Sequence, residues 1–175
     1  MNIHPIFVHI PVAFLSVYGL AELVRFKIFA ERLHWFYVKA ALLIVGVGGA
    51  VMALVTGDMA EGLWRDNTAK RQLIEIHSTY AAITFVVAGL LAVLYAVALV
   101  DRQQWLRLPE GSGLRRIWTQ LARASNTIIS SPWVSMWALA VFVLITIVGA
   151  LGGSIVYGPD TDPVVKFIYG IVVNS

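Results

Sequence analysis

The chain contains no cysteine and few charged residues: of its 175 residues, 13% are charged and 59% are hydrophobic. Soluble domains carry roughly 25% charged residues and are less than half apolar. Together with a mean hydropathy of +0.79, this composition excludes an ordinary cytosolic enzyme, a disordered protein and a fibrous protein. The lack of cysteine excludes disulfides, thiolate metal sites, iron–sulfur clusters and covalently attached haem. What remains is an integral membrane protein.

Four apolar segments are long enough to cross a hydrocarbon core about 30 Å thick, which takes about 20 helical residues. They cover residues 7–24, 36–55, 80–100 and 133–156. A membrane-spanning segment must bond its own backbone groups, so each is predicted to be a helix. The sequence therefore predicts an all-α fold, a transmembrane four-helix bundle that forms one domain over residues 1–175.

Basic residues are concentrated in two of the loops. The loop between the first and second spans and the loop between the third and fourth, together with the first turn of the second span, contain Arg25, Lys27, Arg32, Lys39, Arg102, Arg107, Arg115, Arg116 and Arg123. The positive-inside rule places these loops in the cytoplasm and both termini on the non-cytoplasmic side of a multi-pass membrane protein. The net charge of only +3 lies in loops, so we expect membrane lipid and no nucleic acid as a partner. The sequence is also compatible with a homo-oligomer.

Two further segments are too short or too polar to span. Residues 114–129 have apolar side chains on one face and arginines largely on others, which is typical of an amphipathic helix lying in the cytoplasmic interface. A solvated connector between the third and fourth spans is the alternative. Asp162 and Pro163 form a good N-cap and first turn for a short helix through Val173. That helix is expected to fold over the outer face of the bundle.

The chain has four histidines, and the predicted topology separates them. His4 and His9 open the first span and His77 opens the third, so all three reach the outer side, whereas His34 lies at the inner side. Two imidazoles at matching depth on parallel helices suit bis-histidine ligation of one b-type haem. His9 and His77 are the predicted iron ligands, with His4 assisting or substituting. Pro11 can kink the first helix, so the choice between His4 and His9 stays open.

Other residues on the same side are candidates for contacts with the haem. Glycines in the second and fourth spans, Gly49 among them, either allow close helix packing or leave a slot for the macrocycle. Thr56 and Arg65 are candidates for polar and propionate contacts, although ordinary solvated loop charge also explains Arg65. Near the inner end of the first span, Glu22 is expected to form a local ion pair with Arg25.

Two motifs resemble a known family. The opening residues 4–11, His-Pro-Ile-Phe-Val-His-Ile-Pro, and the pair Thr56-Gly57 followed by His77 are similar to the DUF2231 family of small four-helix bacterial membrane proteins. The resemblance covers the chain to about Val100. The family was named for its unknown function, so the resemblance implies positions and no mechanism. The layout is similar to that of haem-b membrane cytochromes and ferric reductases, but the chain lacks their second, inner histidine pair.

The function expected from these residues is that of a membrane cytochrome b with one haem near the outer face. It would relay electrons between a quinol or a membrane redox partner and an acceptor on the outer side. Whether such a protein is an oxidoreductase or a passive relay stays open. The alternatives are a non-haem zinc or copper protein, for binding or transport, that uses the same histidines, and a structural subunit of a larger membrane complex.

Overall fold

The computed structural model describes residues 4–24, 33–61 and 68–173, and these residues form helices without any strand. The helices are α1 (His4–Leu23), α2 (Leu33–Glu61), α3 (Thr68–Arg102), α4 (Gly113–Ser130), α5 (Trp133–Tyr157) and α6 (Pro163–Val172). Helices α1, α2, α3 and α5 are long and apolar enough to cross a membrane. The predicted all-α fold with four spanning helices is confirmed.

The four spanning helices are arranged as a square. Helix α1 packs against α2 and α5, and α3 packs against the same two helices, so α1 and α3 occupy one diagonal. Because successive spans run in opposite directions, α1 and α3 begin at the end of the bundle where α2 and α5 finish. We call this the histidine end, because His4 and His77 lie there. Its predicted position outside the membrane rests on the loop charges alone.

The interior is filled along the length of the bundle. Leu15, Leu43, Leu91 and Val141, one from each spanning helix, are fully buried at its centre. Other large apolar side chains of the same helices, such as Val86, stay exposed because they face the lipid. Lipid is as apolar as leucine, so close packing and polar contacts hold the helices together, and small residues permit that packing.

Glycines on α2 bring its backbone against α1. A Cβ atom at Gly46 would lie 2.7 Å from Leu15 Cδ2, and one at Gly49 would lie 2.5 Å from Ile10 Cγ2. Both distances are too short for a real side chain. The glycine stripe of α2 is therefore used for helix packing, the first of the two roles considered for it.

We expect Gly49→Ala to destabilise the bundle by about 1–3 kcal/mol, because its methyl group would force α1 away from α2. Gly48→Ala is the matched control, since a Cβ there meets no atom within 4 Å. Both substitutions make the same change in helix propensity. Thermal unfolding in detergent, followed by circular dichroism, measures the difference. Equal melting temperatures for the two variants would show that the α1–α2 contact does not depend on Gly49.

Two helices extend differently from the predicted spans. Helix α3 begins at Thr68, well before residue 80, because hydropathy identifies only the part in hydrocarbon whereas polar helix formers continue the helix outside it. Helix α1 begins at His4 and contains Pro11 without interruption. The Pro11 ring lies against α2, where its Cδ atom would be 3.1 Å from a Cβ at Gly49.

The two non-spanning helices are where the sequence placed them. In α4, the side chain of Ser112 caps the first turn by accepting a hydrogen bond from the Arg115 amide. In α6, one carboxylate oxygen of Asp162 accepts hydrogen bonds from the amides of Val164 and Val165, at 2.8 and 3.0 Å. Helix α6 packs back against α5. The predicted C-terminal helix is confirmed.

Candidate functional site at the histidine end

His4 is held by a threonine of the neighbouring helix. Its Nδ1 atom lies 3.0 Å from Thr56 Oγ1, and the Thr56 hydroxyl is itself 2.8 Å from the carbonyl oxygen of Met52. A hydroxyl has one hydrogen. Since Thr56 donates it to Met52, Thr56 accepts from the Nδ1–H of His4. This arrangement fixes the tautomer of His4 and places the ring's lone pair on Nε2.

His77 lies in the third turn of α3, and its ring reaches the interior of the bundle. The Nδ1 atom is buried and has no hydrogen-bond partner among the described residues. The backbone carbonyl of Val148 lies beside the same ring, and His4 is close enough to interact with it electrostatically. Buried polar atoms are nearly always paired, so each unpaired one calls for an explanation such as a ligand or a bound water.

Each imidazole rests against a glycine of a neighbouring spanning helix. A Cβ atom at Gly57 would lie 3.3 Å from Cε1 of His4, and one at Gly152 would lie 3.5 Å from Cε1 of His77. The Thr56-Gly57 pair thus has two roles, because the threonine orients the His4 ring and the glycine makes room for it. The candidate site therefore combines histidines of α1 and α3, which lie on one diagonal of the bundle, with glycines of α2 and α5, which lie on the other.

The remaining candidate residues are placed elsewhere. His9 is exposed, and its Nδ1 atom lies against the carbonyl oxygen of Pro5, so His4 is the histidine that the structure brings toward His77. Gly49 is covered by α1 and touches neither imidazole. Arg65 lies outside the described residues. His34 is exposed at the opposite end of the bundle.

The donor atoms suit axial ligation of haem iron, since neutral imidazole is a common haem ligand. The space available to a haem macrocycle differs between the glycines of α2 and those of α5. Gly46 and Gly49 of α2 are covered by α1, whereas Gly149 of α5 is exposed on the outer surface of the bundle and a Cβ at Gly152 would meet only His77 within 4 Å. Where side chains are described, three or more metal-binding groups do not come together. A metal ion at the two histidines would therefore take further ligands from solvent or another molecule.

A second polar cluster lies at the opposite end of the bundle. Glu22 is 2% exposed, and its Oε2 atom lies 2.9 Å from Lys39 Nζ and accepts a hydrogen bond from the Tyr95 hydroxyl at 2.8 Å. The Tyr95 ring stacks on Phe36 and meets Tyr18 edge-on. These contacts join α1, α2 and α3.

Sequence reasoning missed this cluster by pairing Glu22 only with Arg25, which lies outside the described residues. A signal was present in the spacing, because Tyr18 and Glu22 are four residues apart and share one face of α1. Lys39 and Tyr95 also lie within apolar spans, where polar side chains need partners. The cluster is an interhelical one, which a search for local ion pairs does not reveal.

The fold defines a four-helix membrane protein in which His4 and His77 lie at one end of the bundle. The chain matches the DUF2231 family, described as a predicted membrane protein, over residues 1–161. It therefore belongs to that family. Neither a curated protein nor a solved structure matches the chain.

Proposed function

We propose that this membrane protein is a b-type cytochrome that binds one haem at the histidine end, with His4 and His77 as axial ligands. The observation that carries the proposal is the convergence of two imidazoles from α1 and α3 at one end of the bundle. The Nδ1 atom of His77 is buried, the ring is close enough to His4 to interact with it electrostatically, and Thr56 orients the His4 ring. When bound, haem supplies a one-electron couple at its iron. A six-coordinate site favours electron transfer over oxygen binding.

The residues of the chain have distinct roles in this proposal. Thr56 holds the Nδ1–H of His4, which is how ligating histidines are commonly oriented and made more basic. Gly57 and Gly152 leave space beside the two rings. With a single site at one end of the bundle, electrons would pass along one membrane surface, between a quinol or redox protein and an acceptor. The loop charges support our assignment of that surface to the outer side of the bacterial inner membrane.

A second candidate is a non-haem zinc or copper site at the same two histidines. The closed α1–α2 contact at Gly46 and Gly49 favours it, because a single ion needs far less space than a macrocycle. Either ring nitrogen of a histidine, Nδ1 or Nε2, can ligate zinc or copper. Solvent or a second molecule would complete the coordination.

The test is an absorption spectrum of the detergent-purified full chain from haem-replete cells, first oxidised and then reduced with dithionite. We expect a Soret band, a reduced α-band and, from a pyridine haemochrome assay, about one haem per chain. His77→Ala should lose the bands, because it removes an axial ligand. His34→Ala is the matched control, since this exposed histidine lies at the opposite end, and it should keep them.

Each other outcome has a definite meaning. A colourless protein that holds zinc or copper by elemental analysis, and loses it in His77→Ala, would replace haem with the non-haem site. A colourless and metal-free protein whose histidine variants retain their helical circular dichroism would favour a structural subunit. Bands of equal strength in His77→Ala and the unmodified chain would remove His77 from the site.

A further inference from the structure

Helix α4 carries a basic groove on its outer surface, far from the histidine end. The groove has a volume of about 340 Å³ and is lined by Arg115, Arg116, Thr119, Gln120 and Arg123. Arg115 forms an ion pair with Glu110 at 2.9 Å. Arg116 and Arg123 make no ion pair with a described carboxylate, and α4 contains no acidic residue. The groove therefore has unneutralised positive charge suited to an anion.

An exposed apolar face lies beside this groove on the same helix. Leu114, Ile117 and Leu121 are 67%, 56% and 51% exposed and follow one another at helical spacing. They are not the face that packs on the protein, since Ala122, Ser125 and Ile129 fill that role. Helix α4 thus has one face on the bundle, one apolar face without a partner and one basic face.

The position of α4 places these two faces at the membrane boundary. Only Ser131 and Pro132 separate it from the first residue of the spanning helix α5. Trp133 and Trp105, at the same end of the bundle, are 69% and 67% exposed, and tryptophan is enriched at membrane–water interfaces. A molecule that covers α4 must therefore offer acyl chains and negative charge at headgroup depth.

We propose that α4 binds an anionic phospholipid, with its phosphodiester at Arg116 and Arg123 and its acyl chains along Leu114, Ile117 and Leu121. Charge complementarity favours this occupant, since guanidinium groups bind phosphate oxygens through charge-assisted hydrogen bonds. Apolar and basic faces on one interfacial helix together select lipids with anionic headgroups. The binding site is independent of the two histidines.

The experiment titrates the full chain in neutral detergent with fluorescent phosphatidylglycerol and, separately, phosphatidylcholine. We expect tighter binding of phosphatidylglycerol, and Arg116→Gln/Arg123→Gln should weaken it by about tenfold or more, because each arginine near a headgroup contributes to the attraction. The matched control is Arg71→Gln/Lys166→Gln, which removes the same charge at the histidine end and should bind like the unmodified chain. All four positions are exposed, so folding is preserved.

Four results would overturn the proposal. Equal affinities for the two lipids, or an arginine variant that binds phosphatidylglycerol normally, would exclude an anionic-lipid site in the groove. Displacement of phosphatidylglycerol by millimolar inorganic phosphate would assign the groove to a free anion. Loss of lipid binding on self-association of the chain would make a second copy the occupant. The haem spectrum should be the same in both double variants, so this test and that of the proposed function fail separately.

Discussion

Replacing Lys39 with methionine is expected to destabilise the bundle by about 3–5 kcal/mol, although the change preserves the length of the side chain. The substitution leaves the carboxylate of Glu22 buried, with its ion-pair partner removed. Removing one partner of a buried pair costs far more than the pair contributes, because the remaining charge is desolvated without compensation. Unfolding by sodium dodecyl sulfate in mixed micelles, followed by circular dichroism, measures the loss.

Two comparisons make this prediction specific. The double variant Glu22→Leu/Lys39→Met removes both charges and should be more stable than Lys39→Met alone. Its change in the free energy of unfolding should therefore differ strongly from the sum of the two single changes. Arg71→Met breaks an exposed ion pair with Glu75, 3.2 Å long, and should cost less than about 1 kcal/mol. If Lys39→Met costs no more than Arg71→Met, the Glu22 cluster is not a structural link between the helices.

The second prediction with a large expected effect concerns which histidine of α1, His4 or His9, is needed for haem binding. If haem is held as we propose, His4→Ala should lose most of it, because the His4 ring is the one packed against Gly57 and hydrogen-bonded to Thr56. His9→Ala should keep nearly all of it, since the His9 side chain is exposed and pairs with its own helix. The measurement is the haem content of each purified variant by the pyridine haemochrome assay.

A chemical rescue distinguishes loss of a ligand from loss of the fold. In His4→Gly, added imidazole can occupy the vacated space and restore the Soret band, which a misfolded protein would not allow. The reverse pattern, with haem lost in His9→Ala and retained in His4→Ala, would assign ligation to His9. Either result resolves the alternative that the sequence leaves open.

Much of the fold could be predicted because the membrane simplifies the problem. Long apolar segments must be helices, the amphipathic pattern of residues 114–129 predicts α4, and the cap Asp162 marks the start of α6. The true ends of α3 could not be read from hydropathy, since its first turns, from Thr68, lie in a polar stretch. The uninterrupted α1 also could not be foreseen, because a proline inside a helix removes a backbone hydrogen bond and usually kinks or breaks the helix, whereas α1 runs through Pro11.

The candidate site was predictable in its residue types and less so in its geometry. Sequence reasoning proposed His9 and His77 as ligands, with His4 assisting or substituting and Thr56 as a polar contact. The structure places His4 against Thr56 and leaves His9 exposed. Sequence reasoning could not choose between His4 and His9, because that choice depends on which face of α1 meets α2. The Glu22 cluster depends on contacts between residues far apart in the chain, which no local pattern reveals.

The diagonal placement of α1 and α3 has a consequence for biogenesis. Helices α1 and α2 form one hairpin that carries His4 with Gly57, and α3 and α5 form the other, with His77 and Gly152. Each hairpin can enter the membrane with half of the site, but neither holds a ligand that both histidines share. The hairpins associate through the packing of α1 on α5 and of α2 on α3, and through the hydrogen bond from Tyr95 to Glu22. On the proposed function, incorporation of the shared ligand would follow that association.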